Sequence, residues 1–214
     1  MNCPLSDTPS EFLVRGEGRE YRFCPECALV FVPQKYFIDP ADEKKRYLEH
    51  NNSLESEGYV AMFQKKIALI KKLCPGTTTI LDYGCGYEPV LKVLLERQGY
   101  EVDTYDAIFF PDPPAKDDYD LIVSTETFEH FKKPGEEIER LTSRIAPRGG
   151  LAVMTRFYPL VSNRVNVESF SQWYYKRDPT HIAFYSDKTF VWIANRYGLR
   201  VIYNNQNDFV VLKK

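Results

Sequence analysis

Ile80-Leu81-Asp82-Tyr83-Gly84-Cys85-Gly86 decides the fold. Thr78 to Asp82 is a short β-branched and apolar run that enters as a strand, and two glycines follow at alternate positions. Glycine there permits positive φ and lets the backbone approach a ligand with no Cβ in the way. Pro89 suits the first turn of a helix. Val90 to Glu96 then places Leu91, Leu94 and Leu95 on one side, and Gly99 ends the run. The loop therefore feeds a helix N-terminus, whose free N–H groups attract polar ligand groups. Gly-x-Gly alone is equally the mark of a tight turn with no ligand. Asp106, 20 residues beyond Gly86 at the end of the next strand, adds a carboxylate able to accept two hydrogen bonds from ribose hydroxyls.

Outward from the loop the pattern alternates. Tyr59, Met62, Phe63, Ile67, Ile70 and Leu73 recur at helical spacing, and Pro75-Gly76 stops them. Glu101–Tyr105, Leu121–Val123 and Leu151–Met154 read as strands; Glu136–Ile145 and Thr189–Tyr197 read as helices. Strands alternating with helices imply a parallel sheet with crossovers, a doubly wound α/β fold. Leu199–Tyr203 and Asp208–Leu212 are separated only by Asn204 to Asn207, so the last strand is expected to be antiparallel. Phe109 to Ala115 carries three prolines and cannot make a normal strand.

Two cofactor classes use this geometry. A dinucleotide site wants a small residue three places after the second glycine, where Pro89 stands. Asp82 instead precedes the first glycine by two, and this Asp-x-Gly-x-Gly start resembles motif I of class I S-adenosylmethionine-dependent methyltransferases. Asp106 resembles that family's ribose acid, Asp118 to Phe131 its fourth strand and following loop, and Ala146 to Leu151 the turn before its fifth strand. The resemblance covers most of residues 55–214 and implies a Rossmann-like seven-stranded sheet with an antiparallel last strand. It implies S-adenosylmethionine as cofactor, held by Asp82, Gly84, Cys85, Gly86, Tyr105, Asp106, Thr125 and Glu126. The family often has a third glycine where this chain has Glu88, which is expected to face solvent as a helix-start acid.

Methyl transfer asks the protein to align a nucleophile and often to remove a proton. His130 follows the fourth strand at the carboxyl edge of the sheet, where ligands bind. Asp178-Pro179-Thr180-His181 resembles a segment of bacterial relatives, so His181 is preferred as the substrate-side base, with His130 and Tyr185 as further catalytic candidates. Residues 156–185 form an insert in which eight of 30 residues are aromatic, against 14% for the chain, as suits a pocket wall or lid.

Residues 1–50 form a separate small β module and residues 51–214 the methyltransferase domain. Cys24-Pro25-Glu26-Cys27 has zinc-knuckle spacing and Cys3 offers a third ligand. In the resembling bacterial module a second cysteine stands at Ser6 and a glycine at Ala28; Asp7 or His50 is left to complete a zinc tetrahedron. No basic n-region, apolar h-region or membrane-length apolar run is present, so a cytoplasmic protein is expected. The net charge of -2 gives no reason to expect nucleic acid or anionic membrane as partner. A small-molecule acceptor is the expectation; a cofactor-binding protein lacking catalysis and an RNA methyltransferase are the alternatives.

Overall fold

The computed structural model describes residues 1–49, 53–158, 160–161 and 164–214. The chain opens with β1 (Glu11–Gly16), β2 (Arg19–Phe23) and β3 (Val30–Phe31), then helices α1 (Pro40–Leu48) and α2 (Glu57–Leu73). Residues 50–52, after α1, lie outside the described residues. The α/β part follows as β4 (Thr79–Tyr83), α3 (Val90–Glu96), β5 (Glu101–Tyr105), β6 (Tyr119–Thr125), α4 (Pro134–Ser143) and β7 (Ile145–Met154). The insert, of which residues 159 and 162–163 are not described, holds β8 (Leu160–Val161), β9 (Arg164–Val165), α5 (Val167–Gln172) and β10 (Ala183–Phe184). Helix α6 (Asp187–Arg196) and strands β11 (Arg200–Asn204) and β12 (Phe209–Lys213) close the chain.

The central sheet runs β11-β12-β7-β6-β4-β5. Strand β12 is antiparallel to both neighbours, as the four-residue connection predicts, and β7, β6, β4 and β5 are parallel. The sheet has six strands among the described residues, not the expected seven. Between β5 and β6 the chain carries Pro111, Pro113 and Pro114, which cannot donate to a ladder. Asp106 and Phe110 instead exchange two backbone hydrogen bonds of 3.0 Å as an isolated bridge.

Both faces of the sheet are buried, so successive strand residues serve opposite cores. Ile80, Leu121, Val123, Ala152 and Val211 pack with Phe63, Ile67 and Ile70 of α2 and with Leu91 and Leu94 of α3. Leu81, Ile122, Leu151, Val153 and Val210 pack with Ile138 and Leu141 of α4 and with Phe190 and Ile193 of α6. A third core joins Tyr21, Val30 and Val32 of the N-terminal region to Tyr158, Phe170, Tyr175 and Phe184 of the insert. Strand β10 pairs with β3, so the insert completes the N-terminal sheet. Much of the insert's aromatic excess is therefore core rather than lid. No helix among the described residues is long and apolar enough to cross a membrane.

Candidate functional site

A cleft of about 1010 Å³ opens at the carboxyl edge of β4, β5 and β6. All eight expected cofactor residues line it: Asp82, Gly84, Cys85, Gly86, Tyr105, Asp106, Thr125 and Glu126. The two glycines have different reasons to be glycine. At Gly84 φ is +82° and an added Cβ would lie 2.1 Å from Thr127 Oγ1, so this position is set by packing. At Gly86 φ is +70° and an added Cβ would meet nothing within 4 Å. Asp106 organises the loop: Oδ2 accepts from Gly86 N–H at 3.0 Å, and Oδ1 accepts from Ile108 N–H at 2.9 Å and Phe109 N–H at 3.0 Å.

Asp82 is 1% exposed and neither carboxylate oxygen has a partner among the described residues. Burial, and then the Asp106 carboxylate, push it up to about 7, against a smaller pull from Lys92. Helix α3 starts at Val90 with Pro89 as its cap, so Glu88 precedes the helix, and it is half-buried on the cleft wall.

The other end of the cleft is polar. Glu126 follows β6 in a left-handed conformation, φ 50°, which a non-glycine residue adopts at some cost in strain. The Tyr175 hydroxyl donates to Glu129 and lies 3.0 Å from Glu126 Oε2. Glu129 is 0% exposed, and its Oε2 has no partner among the described residues. Burial raises the Glu129 pKa; burial and then Glu129 raise that of Glu126. Solvent reaches Glu126 through the open cleft, so repulsion by Glu129 is the cause the geometry sustains.

His130 and His181 line the cleft beside this pair, their rings 4.9 Å apart. Nδ1 of His130 lies 3.0 Å from the Thr180 carbonyl and Nδ1 of His181 2.7 Å from the Tyr175 carbonyl. Burial lowers both pKa values, and with the His130 charge takes His181 down to about 3. Asp178 accepts from Thr180 and from Arg46 of α1; these bonds hold it well below the carboxylate range although burial opposes them. Tyr185 does not belong to the site. It is fully buried, its hydroxyl donates to the Phe128 carbonyl at 3.1 Å, and its ring packs on Phe190. Tyr175, noted in the sequence only as one aromatic of the insert, takes the place expected for Tyr185.

Cys3, Cys24 and Cys27 converge, with Cys3 Sγ and Cys27 Sγ 3.6 Å apart. The Cys27 and Cys3 thiols, then the Ser6 and Thr8 hydroxyls, hold Cys24 well below the usual thiol range. Ser6 Oγ and Thr8 Oγ1 lie 3.3 Å and 3.4 Å from Cys24 Sγ. Asp7 is exposed and bonded to Asn2, and His50 lies outside the described residues. Three thiols fit zinc, but among the described residues no fourth Cys, His or carboxylate closes the tetrahedron of a structural site. Ala28 takes φ 55°, the conformation that favours glycine there.

A family model described as a methyltransferase domain matches residues 41–204. No curated protein matches the sequence. Among solved structures, an O-methyltransferase family protein from Burkholderia thailandensis is similar at 12% identity and a TM-score of 0.53, over 80% of this chain and 62% of that one. Magnesium protoporphyrin IX methyltransferase from Synechocystis PCC 6803, solved with bound SAM, is similar at 16% identity and a TM-score of 0.47, over 85% of this chain and 94% of that one. The chain belongs to the methyltransferase-domain family, with the class I S-adenosylmethionine-dependent fold expected from its glycine loop.

Proposed function

We propose that the chain transfers a methyl group from S-adenosylmethionine to a small-molecule acceptor, the cofactor lying along the glycine loop and the acceptor at the Glu126–His181 end of the cleft. The observation that carries this is Asp82, a fully buried carboxylate at the root of the loop with both oxygens unpaired among the described residues. Such a group is costly unless a cation or N–H donor completes it, and the cofactor's ammonium is such a donor. The open side of Gly86 and the one acceptor site of Asp106 not taken by the loop amides fit the ribose end. The cleft, about 1010 Å³, reaches the top of the range of about 300–1,000 Å³ usual for ligand pockets, which is room for cofactor and acceptor together.

When bound, the cofactor supplies a methyl group already activated on a sulfonium. The chain aligns the acceptor, excludes water and holds the proton. Glu126 Oε2, 3.0 Å from Tyr175 Oη, is the atom we assign to receive the acceptor's proton, with Tyr175 bridging it to Glu129. His181 serves less well as a base, because burial and the His130 charge take its pKa down to about 3, and burial lowers that of His130 as well. The five cysteines are all free thiols, which suits the cytoplasm. The test is formation of S-adenosylhomocysteine with a panel of small oxygen and nitrogen nucleophiles. Tyr175→Phe is expected to lower turnover by about 10²–10⁴ while leaving cofactor affinity in place; unchanged turnover would refute the assignment of Glu126 and Tyr175.

A further inference from the structure

We propose that Glu129, His130 and His181 form a binding site for a divalent transition-metal ion at the acceptor end of the cleft. One possible ligand atom from each residue lies within 4.8 Å of the other two. Glu129 and His130 come from the turn after β6, and His181 from the loop before β10. The Ile182 N–H donates to the Glu129 carbonyl at 2.8 Å and fixes the two segments against each other.

The outer contacts are those of metal-bound histidines. Each imidazole places Nδ1 against a backbone carbonyl, Thr180 for His130 and Tyr175 for His181. A carbonyl only accepts, so Nδ1 carries the hydrogen, and in the neutral ring Nε2 keeps the lone pair. This pairing fixes the tautomer and aims the ring, as outer partners of metal-binding histidines do. Glu129 is the independent second observation. Its side chain is 0% exposed, Oε1 takes the Tyr175 hydroxyl, and Oε2 has no partner among the described residues. A buried carboxylate oxygen with no donor is costly, and a cation at that point removes the cost.

Two imidazoles and a carboxylate suit zinc, iron, cobalt or nickel better than magnesium or calcium, which prefer oxygen ligands throughout. Three protein ligands leave positions open for solvent or substrate, as in catalytic rather than structural sites. The class of acceptor that fits is one presenting an oxygen donor, or two adjacent ones, to the ion. The ion's part in orienting an acceptor rests on the methyl-transfer reading; its binding does not.

The experiment uses the full chain, stripped by a chelator and free of cofactor, titrated with Co²⁺. Thiolate ligation at the Cys3 cluster gives intense near-ultraviolet charge-transfer bands, whereas nitrogen and oxygen ligation gives weak visible bands without them. One equivalent is expected to produce the visible bands and to shift the imidazole proton resonances of two of the three histidines. His181→Asn keeps an N–H for the Tyr175 carbonyl, and Glu129→Gln keeps an oxygen for the Tyr175 hydroxyl. Each is expected to weaken the visible-band site by about 100-fold or more, beyond the loss of an outer-sphere partner. Thiolate bands alone, unshifted imidazoles, or folded variants that bind as tightly as the parent would each overturn the site. The resonance measurement on the parent protein stands if a variant fails to fold. Cofactor binding, followed separately by calorimetry, can succeed or fail without altering these signals.

Discussion

Arg19 Nη1 in β2 donates to the His181 carbonyl at 3.1 Å, which ties the N-terminal sheet to the loop carrying a cleft histidine. The same guanidinium reaches the carbonyls of Lys176, Asp178 and Pro179, and Arg19 is only 8% exposed. The N-terminal region thus acts as a clamp on the polar end of the cleft. Arg19→Met keeps the length and removes the donors. We expect a loss of about 2–4 kcal/mol in denaturant unfolding, since buried carbonyls lose charged donors, with cofactor affinity little changed. An unchanged unfolding midpoint would show that the clamp carries no weight.

The two loop glycines are expected to respond differently to alanine. Gly86→Ala meets no neighbour and costs only the left-handed strain, about 1–2 kcal/mol. Gly84→Ala adds a clash with Thr127 and is expected to cost more than about 4 kcal/mol, in the range reserved for severe packing defects. Equal costs in paired unfolding curves would contradict this division of roles.

Asp82 sets a pH dependence with a definite sign. Its carboxyl titrates about 7 in the folded chain against an ordinary 3.8. Between these values the folded state binds more protons than the unfolded one, so stability of the ligand-free protein falls as pH rises through that window. Affinity for a cationic partner at Asp82 rises over the same window and levels above it. Asp82→Asn is expected to flatten both curves. Parent and variant with the same slopes in unfolding and binding would remove Asp82 from the site.

Asp106 holds three amide hydrogens of the loop, from Gly86, Ile108 and Phe109. Asp106→Ala is expected to weaken cofactor binding by about 1.5–3 kcal/mol, the worth of hydrogen bonds to a charged group. Asp106→Asn keeps one acceptor oxygen and is expected to lose less. Calorimetric affinities equal to the parent's in both variants would refute the assignment.

The glycine-loop half of the cleft was legible because its signals are local. A strand, two glycines, a proline at the helix start and an acid at the next strand end lie within 30 residues of one another. The doubly wound sheet was legible from strands alternating with helices, and the gap after β5 from Pro111, Pro113 and Pro114. The polar half was not, because it depends on pairing across the fold. Glu129 and Tyr175 meet only after β10 pairs with β3 and Ile182 bonds to Glu129. No spacing in the sequence distinguishes Tyr175, whose hydroxyl faces two carboxylates, from Tyr185, whose hydroxyl is used by the Phe128 carbonyl. Glu88, expected to face solvent as a helix-start acid, lies half-buried on the cleft wall just before the helix that begins at Val90.

Titration calorimetry of the purified chain with S-adenosylmethionine bears most directly on the cleft. One molecule is expected to bind per chain, with affinity lost on Asp82→Asn and reduced on Asp106→Ala while both variants stay folded. A folded parent protein that takes up no cofactor, or variants that bind it as tightly as the parent, would contradict the placement of the methyl donor over the glycine loop.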